Sequence, residues 1–133
     1  MENKVKHLEM IQGIINRMAS NSFVLKGWAI TLIAGFFALS NKDSNKMFFL
    51  IAYIPLIIFW GLDTHYLKLE RKYRNLYDKV RMLNNDKIDF SMKITDKELT
   101  EKIPFANCFF SLIEIGFYLP TAVLILVVII LIK

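Results

Sequence analysis

The sequence predicts an all-α integral membrane protein with three transmembrane helices, an N-terminal amphipathic helix and a long cytoplasmic extension of the second span. One observation is composition: 55% of the 133 residues are hydrophobic and the mean hydropathy is +0.40, whereas soluble domains have about 45–50% apolar residues. The other is distribution. Apolar residues gather in 23–40, 47–62 and 103–132, and most of the charge lies in 63–102. This pattern excludes a disordered chain and argues against a soluble enzyme.

Residues 1–22 are predicted to form the amphipathic helix. One face carries, at helical spacing, Val5, Leu8, Ile11, Ile15, Met18 and Ser22. This face could lie on the inner leaflet of a membrane or pack on other cytoplasmic helices of the same protein. No helix breaker separates this segment from the first span.

Residues 23–62 are predicted to form a transmembrane hairpin. A span needs about 20 apolar residues to cross a hydrocarbon layer of about 30 Å, and the blocks 23–40 and 47–62 come close to that length. Pro55 is expected to kink the second span, because proline removes a backbone hydrogen bond. On the first span, small residues recur at i, i+4 and i+8: Gly27, Thr31 and Gly35. Such a stripe lets helices approach closely, within one chain or between subunits.

Residues 63–102 are predicted to be a cytoplasmic helical segment and linker. The helical part continues the second span as a seam with alternating steps of four and three, the a/d pattern of a coiled coil. The seam consists of Leu62, Tyr66, Leu69, Tyr73, Leu76, Val80 and Leu83. With the second span it predicts one helix of about 37 residues, or about 55 Å. The seam must be buried, either against the N-terminal helix or against the same seam of a second subunit.

A basic face on the same helix is expected to contact anionic lipid just inside the membrane. It consists of Lys68, Arg71, Lys72 and Arg74. The alternative is a solvated face that merely follows the bias of positive charge towards the cytoplasm. Residues 63–102 hold ten basic and eight acidic side chains, and this mixture argues against a nucleic-acid partner.

Beyond the seam, residues 88–94 alternate apolar and polar side chains, which predicts a short strand. Thr95 and Glu98 have the spacing of a capping box and would begin a helix leading to the third transmembrane helix, 103–133. That last segment is longer than a span requires, so a re-entrant or interfacial start around 103–111 is expected.

The basic residues also predict the orientation. Thirteen lie in the N-terminal segment and in 63–102, while three lie in the 41–46 turn and at the C-terminus. The positive-inside rule therefore puts the N-terminus in the cytoplasm and the C-terminus outside.

Three ionisable residues fall within or at the edge of the spans: Lys26, Asp63 and Glu114. Counted from the outer ends of their spans at 1.5 Å per residue, they lie about 22, 26 and 28 Å deep. Charged groups are costly in hydrocarbon and usually face partners or a pathway. The three are therefore predicted to form an intramembrane polar network in which Lys26 pairs with Asp63 or Glu114. Alternatively, Lys26 snorkels and Asp63 is interfacial.

The catalytic inventory is poor. The sequence contains no phosphate-binding glycine loop, CxxC, HExxH or GxSxG motif. His7 and His65 have no partners at metal-ligand spacing, and Cys108 is the single cysteine. We expect no enzyme activity, no cofactor and no metal site.

A resemblance to a group of small bacterial membrane proteins of unassigned function is carried by three stretches, HLEMIQGIINRMASNSFVLKGW, IAYIPLIIFWGLD and YLKLERKYRNLYDKVR. It covers roughly residues 7–92 and implies a location in the bacterial inner membrane. The layout is also similar to that of small multi-span effectors of anti-phage defence, which oligomerise and disrupt the inner membrane.

These features favour a homo-oligomeric membrane effector that permeabilises or depolarises the membrane. The alternative is a non-catalytic scaffold that recruits a cytoplasmic protein partner. Membrane lipids are expected partners in both hypotheses.

Overall fold

The computed structural model describes residues 1–40, 45–94 and 103–132, and every regular element among them is helical. The elements are α1 (Glu2–Leu39), α2 (Lys46–Leu50), α3 (Tyr53–Met82), a 3₁₀ turn (Asn85–Lys87), α4 (Phe105–Phe109) and α5 (Leu112–Leu131). Three segments are long and apolar enough to cross a membrane: α1, the stretch Lys46–Met82 and α5. The all-helical class with three long apolar helices is confirmed.

Helix α1 is one continuous helix of 38 residues, so the predicted amphipathic segment and the first span are not separate elements. It runs antiparallel to α3. At one end, the Lys4 ammonium donates hydrogen bonds to the carbonyl oxygens of Arg81 (3.0 Å) and Leu83 (2.7 Å). Lysine there satisfies carbonyls that the end of α3 leaves unpaired. Of the two interpretations of the N-terminal face, the structure supports packing on a helix of the same chain.

A small apolar core holds this end of the hairpin together. We call it the hairpin core; its buried members are Ile11, Ile15, Val80 and Ile88. The second half of the predicted seam packs here, namely Tyr73, Leu76, Val80 and Leu83. The N-terminal helix is therefore the partner of this half.

The first half of the seam is not centred on the buried face. Leu62 is 45% exposed, Tyr66 and Leu69 are partly buried, and the fully buried neighbours are Asp63 and Thr64. In this region α3 packs against α1 on one side and against α4 and α5 on the other. The buried face of α3 is therefore the one directed between α1 and the pair α4 and α5. A strict heptad also drifts by about 20° per repeat on a straight helix.

A second core lies between the three long apolar segments, namely α1, the stretch Lys46–Met82 (α2 and α3) and α5, and is here called the three-helix core. Its buried residues are Ala29, Ile33, Phe49, Ala52, Leu56, Tyr118, Ile125 and Ile129. The predicted single helix, kinked at Pro55, is instead interrupted between α2 and α3 at Ile51 and Ala52. Pro55 cannot donate to the carbonyl of Ile51, and its ring crowds that carbonyl.

The predicted strand over 88–94 is wrong. After the 3₁₀ turn the chain has no regular structure up to Ile94. Ile88 and Met92 pack on the hairpin core, which explains the alternation of apolar and polar residues. A strand also needs a partner for its backbone groups. Here Asp89 accepts from the amide of Ser91 (3.0 Å), a local turn bond.

The third apolar segment is divided into two helices, while the re-entrant or interfacial character of 103–111 stays a prediction. Helix α4 follows Pro104, a turn intervenes, and the Ser111 hydroxyl then caps α5 by accepting from the amide of Glu114. The Thr95–Glu98 capping box lies outside the described residues.

The Gly27–Gly35 stripe does not mediate packing among the residues that the structure describes. Gly27 and Thr31 are exposed and Gly35 is partly buried, and an added Cβ at either glycine would meet nothing within 4 Å. The buried residues of α1 in this region, Ala29 and Ile33, lie on a different face. Packing between subunits is the alternative that remains for the stripe.

Candidate functional site

The three ionisable residues that the sequence predicts within or at the edge of the spans meet at the junction of three helices. Lys26 of α1 forms ion pairs with Asp63 of α3 and with Glu114 of α5, the latter at 3.6 Å. Both carboxyl side chains are fully buried, and the Lys26 side chain is 16% exposed. We call this group the ion cluster. Sequence counting predicted the common level of the three residues, and the structure pairs Lys26 with both acids.

Asp63 is the most heavily bonded member of the ion cluster. One carboxylate oxygen accepts from the Ser22 hydroxyl of α1. The other oxygen accepts from the Lys26 ammonium. It also accepts from the Tyr118 hydroxyl, and that bond is 2.9 Å long. The Lys26 ammonium also donates a hydrogen bond to the Ser22 hydroxyl oxygen, at 3.0 Å. A single carboxylate on α3 thus bonds to both α1 and α5.

Glu114 is bonded very differently. Both of its carboxyl oxygens are buried without a hydrogen-bond partner, and the Lys26 ammonium stands at ion-pair distance only. The stretch Ser111–Glu114 has the S-x-x-E pattern of a capping box, but only one half of the box forms. The Ser111 hydroxyl accepts from the Glu114 amide (3.4 Å), whereas the Ser111 amide donates to the carbonyl of Cys108. The carboxyl group is turned towards Lys26.

Aromatic rings wall the ion cluster on one side. The Trp60 indole stacks between Phe109 (centroids 4.4 Å apart) and Tyr118 (5.5 Å). Its Nε1 donates to the carbonyl of Phe109 at 3.1 Å. The Lys26 ammonium lies 5.8 Å from the ring centroids of Phe117 and Tyr118, within the range of a cation–π interaction. Trp60 therefore contacts Tyr118, and Tyr118 in turn bonds to Asp63 of the ion cluster.

The predicted basic face of α3 is only partly exposed to solvent. Arg74 is exposed and ion-pairs with Glu70 at 2.8 Å. The guanidinium of Arg71 lies 3.8 Å from the buried sulfur of Cys108. Lys68 and Lys72 are partly buried. The four residues share one stretch of α3, but α4 already occupies part of the surface around Arg71.

Three participants in the site were missed by sequence reasoning: Ser22, Trp60 and Tyr118. Ser22 carried a usable signal, since it is a hydroxyl on an otherwise apolar helix face. Tyr118 carried another, because it lies four residues after Glu114 and so on the same face of α5. The role of Trp60 depends on the tertiary arrangement of α4 and α5, which no local pattern encodes.

A further polar residue, His7, is buried at the far end of the hairpin from the ion cluster. His7 packs edge-on against Phe90 at 5.4 Å, and its Nε2 has no hydrogen-bond partner. Phe90 adopts φ of 56°, a conformation that is costly for a bulky residue. The two line a cavity of about 380 Å³ together with Asn3, Lys6 and Met10. In the part of the chain that is described, no three His, Cys, Asp or Glu side chains lie together at metal-binding spacing.

Comparison with known proteins finds no matching family model, no matching curated protein and no matching solved structure.

Proposed function

We propose that this chain is a small protein of the bacterial inner membrane that assembles into a homo-oligomer and permeabilises or depolarises the membrane, as an effector of anti-phage defence. The observation that carries the proposal is the ion cluster, in which Lys26, Asp63 and Glu114 are buried together between three long apolar helices. Ionisable side chains at such positions are expensive and usually serve a pathway.

The need for assembly follows from what surrounds the ion cluster. Between the cluster and the C-terminal end of α5, the buried residues described are apolar, for example Ala29, Leu56 and Ile125. One copy therefore offers no polar route along its own described core. A route would have to form between copies, or after a change of shape, with the ion cluster at its inner mouth.

The surface for assembly is assigned to two features that the chain leaves exposed. One is the small-residue stripe Gly27, Thr31 and Gly35, which suits close helix contact. The other is the outer side of the seam around Leu62, which is 45% exposed. Both lie on the stretch that would be in or next to the membrane.

The first test is the membrane potential of bacteria that express the chain, read with a voltage-sensitive dye. Wild type is expected to depolarise the cells, and Glu114→Gln, which keeps the shape and removes the charge, is expected not to. Glu9→Gln is the matched control, because Glu9 is exposed on α1 far from the ion cluster. Immunoblots of isolated membranes establish equal abundance.

A result in which Glu114→Gln depolarises as strongly as wild type would remove the ion cluster from the mechanism. The defence role has its own measurement: the plating efficiency of phages on the same strains. Protection by wild type and not by Glu114→Gln is expected, whereas depolarisation without protection would restrict the proposal to permeation.

A second candidate function is a scaffold for a cytoplasmic protein, with lipids as the other partner. The observation that favours it is the length of the hairpin beyond the ion cluster, where α1 and α3 pack on each other through the hairpin core. From Asp63 to Met82, α3 extends by roughly 29 Å. Cross-linking of full-length protein to one partner, together with an undisturbed membrane potential, would favour the scaffold.

A further inference from the structure

The ion cluster contains unequal numbers of positive and negative groups. It holds one ammonium, from Lys26, and two carboxyl groups, from Asp63 and Glu114. The shortest contacts of Lys26 go to Asp63 and Ser22, and Asp63 accepts from three donors in all. Asp63 is therefore fully compensated, and the imbalance falls on Glu114.

The groups around Glu114 do not correct the imbalance. Of the polar groups at the ion cluster, α1 contributes Ser22 and Lys26, α3 contributes Asp63, and α5 itself contributes Tyr118, whose hydroxyl is committed to Asp63. Lys68 and Arg71 follow on α3. The Arg71 guanidinium is turned to the sulfur of Cys108, and Lys26 is the one cation among the described residues at ion-pair distance from Glu114. Both Glu114 oxygens are thus buried, without a hydrogen-bond donor and with a share of one lysine only.

A buried carboxylate without a compensating partner is strongly disfavoured. Since residues 1–40, 45–94 and 103–132 supply no second positive charge at ion-pair distance from Glu114, we take the compensating charge to come from a bound cation. The position carries a single surplus negative charge, which suits a monovalent cation. A divalent cation would instead leave the cluster positive, next to an existing ammonium.

We propose that Glu114 is a binding site for a monovalent cation, either a proton or an alkali-metal ion, and that cations of this class are what the assembled protein lets pass. The claim that Glu114 binds a cation does not depend on whether the protein permeabilises the membrane. The claim that such cations pass through the assembled protein rests on the proposed function. Anions are excluded from the site by the two carboxyl groups.

The chain contains its own optical reporter for this site. It has two tryptophans, and Trp60 stacks on Tyr118, whose hydroxyl bonds to Asp63. Trp28 is 62% exposed and is not part of either core. The variant Trp28→Phe therefore leaves a single tryptophan that contacts the wall of the ion cluster.

The experiment uses the full-length Trp28→Phe protein in lipid nanodiscs and follows Trp60 emission. In one arm the pH is varied at constant salt. In the other, choline is replaced by sodium or potassium at constant pH. A saturable change in the first arm identifies the proton, and one in the second identifies an alkali ion. The change is expected to disappear in Glu114→Gln and to persist in the control Glu9→Gln.

Two outcomes would overturn the binding site: an emission that responds in neither arm, or a response that survives in Glu114→Gln. If Glu114→Gln does not give a monodisperse protein, Glu114→Asp takes its place. It keeps the carboxylate on a shorter side chain and is expected to keep the response with a displaced midpoint.

The passage of cations is measured separately in liposomes that contain wild-type protein. Internal pyranine reports protons, potassium and sodium probes report alkali ions, and a chloride probe reports anions. Cation flux that is lost in Glu114→Gln supports the inference. Chloride flux that equals cation flux contradicts it. The absence of any flux contradicts the proposed function, while the Trp60 titration still decides whether Glu114 binds a cation.

Discussion

Asp63 is the residue through which the three long helices are joined. It sits on α3, accepts from Ser22 and Lys26 of α1, and accepts from Tyr118 of α5. Sequence counting gave the depth of Asp63 and its partner Lys26, because axial position follows from 1.5 Å per residue. Counting could not choose between Asp63 and Glu114 as the better-bonded acid, since that depends on how the helices are rotated about their axes.

Replacing the cation of the ion cluster is expected to be costly. Lys26→Met leaves two buried carboxyl groups without a positive partner and should lower the free energy of unfolding by about 3–5 kcal/mol. The double variant Lys26→Met/Asp63→Asn should cost less than the sum of the two single variants, because the pair is directly coupled. Reversible unfolding in mixed micelles measures both quantities.

The matched control is Lys6→Met on the same helix. Lys6 pairs with Glu2 at 3.2 Å on the surface, and such pairs contribute little. Equal losses for Lys6→Met and Lys26→Met would contradict the assigned role of the ion cluster.

Among the elements, α1 shows how well helical periodicity predicts which side chains are buried. The spacing of apolar residues marked one face, and Ile11, Ile15 and Met18 of that face are buried. Val5 belongs to the same face by spacing but is 48% exposed. The antiparallel partner α3 ends at Met82, so the first turns of α1 have less of a helix to pack against.

This difference predicts unequal effects of truncation along one face. Ile11→Ala removes buried volume from the hairpin core and should lower the free energy of unfolding by about 2–5 kcal/mol. Val5→Ala should change it little, because surface substitutions have small effects. Chemical unfolding measures the change, and limited proteolysis should show faster cleavage within α1 for Ile11→Ala. Comparable losses at the two positions would mean that the first turns of α1 are also packed.

The interruption between α2 and α3 is a property of one residue. Pro55 leaves the carbonyl of Ile51 without its usual donor. Pro55→Ala is expected to restore that bond and to fuse α2 and α3 into one helix. Hydrogen exchange read by mass spectrometry should then show slower exchange of the amides around Ile51 and Ala52. Unchanged exchange would mean that packing of Phe49 and Ala52 into the three-helix core holds the break without proline.

At the scale of the whole molecule, polar and apolar layers alternate along the helices. The hairpin core lies at one end, the ion cluster lies in the middle, and the three-helix core lies beyond it. The buried interior beyond the ion cluster is apolar, so the stripe on the outside of α1 is the surface proposed for assembly.

Assembly through the stripe is tested by disulfide cross-linking in native membranes. Thr31→Cys, on the exposed face, is expected to give oxidant-dependent oligomers. Ile33→Cys, two residues away and buried, is expected to stay monomeric under the same conditions. The native Cys108 is buried, and Cys108→Ser serves as the background for both. Equal cross-linking at both positions, or none at Thr31→Cys, would remove the stripe as a subunit contact.

The sequence by itself determined the helical class, the three apolar segments, an irregularity of the second span at Pro55 and the common level of Lys26, Asp63 and Glu114. All of these depend on position along a helix, which composition and spacing encode directly. Only the tertiary structure decided that Ser22 and Tyr118 bond to Asp63, that Glu114 is left without a hydrogen bond, that the stripe faces outward and that residues 88–94 pack without forming a strand. These depend on how each helix is rotated towards its neighbours, and that rotation is fixed by the joint packing of α1, α3 and α5.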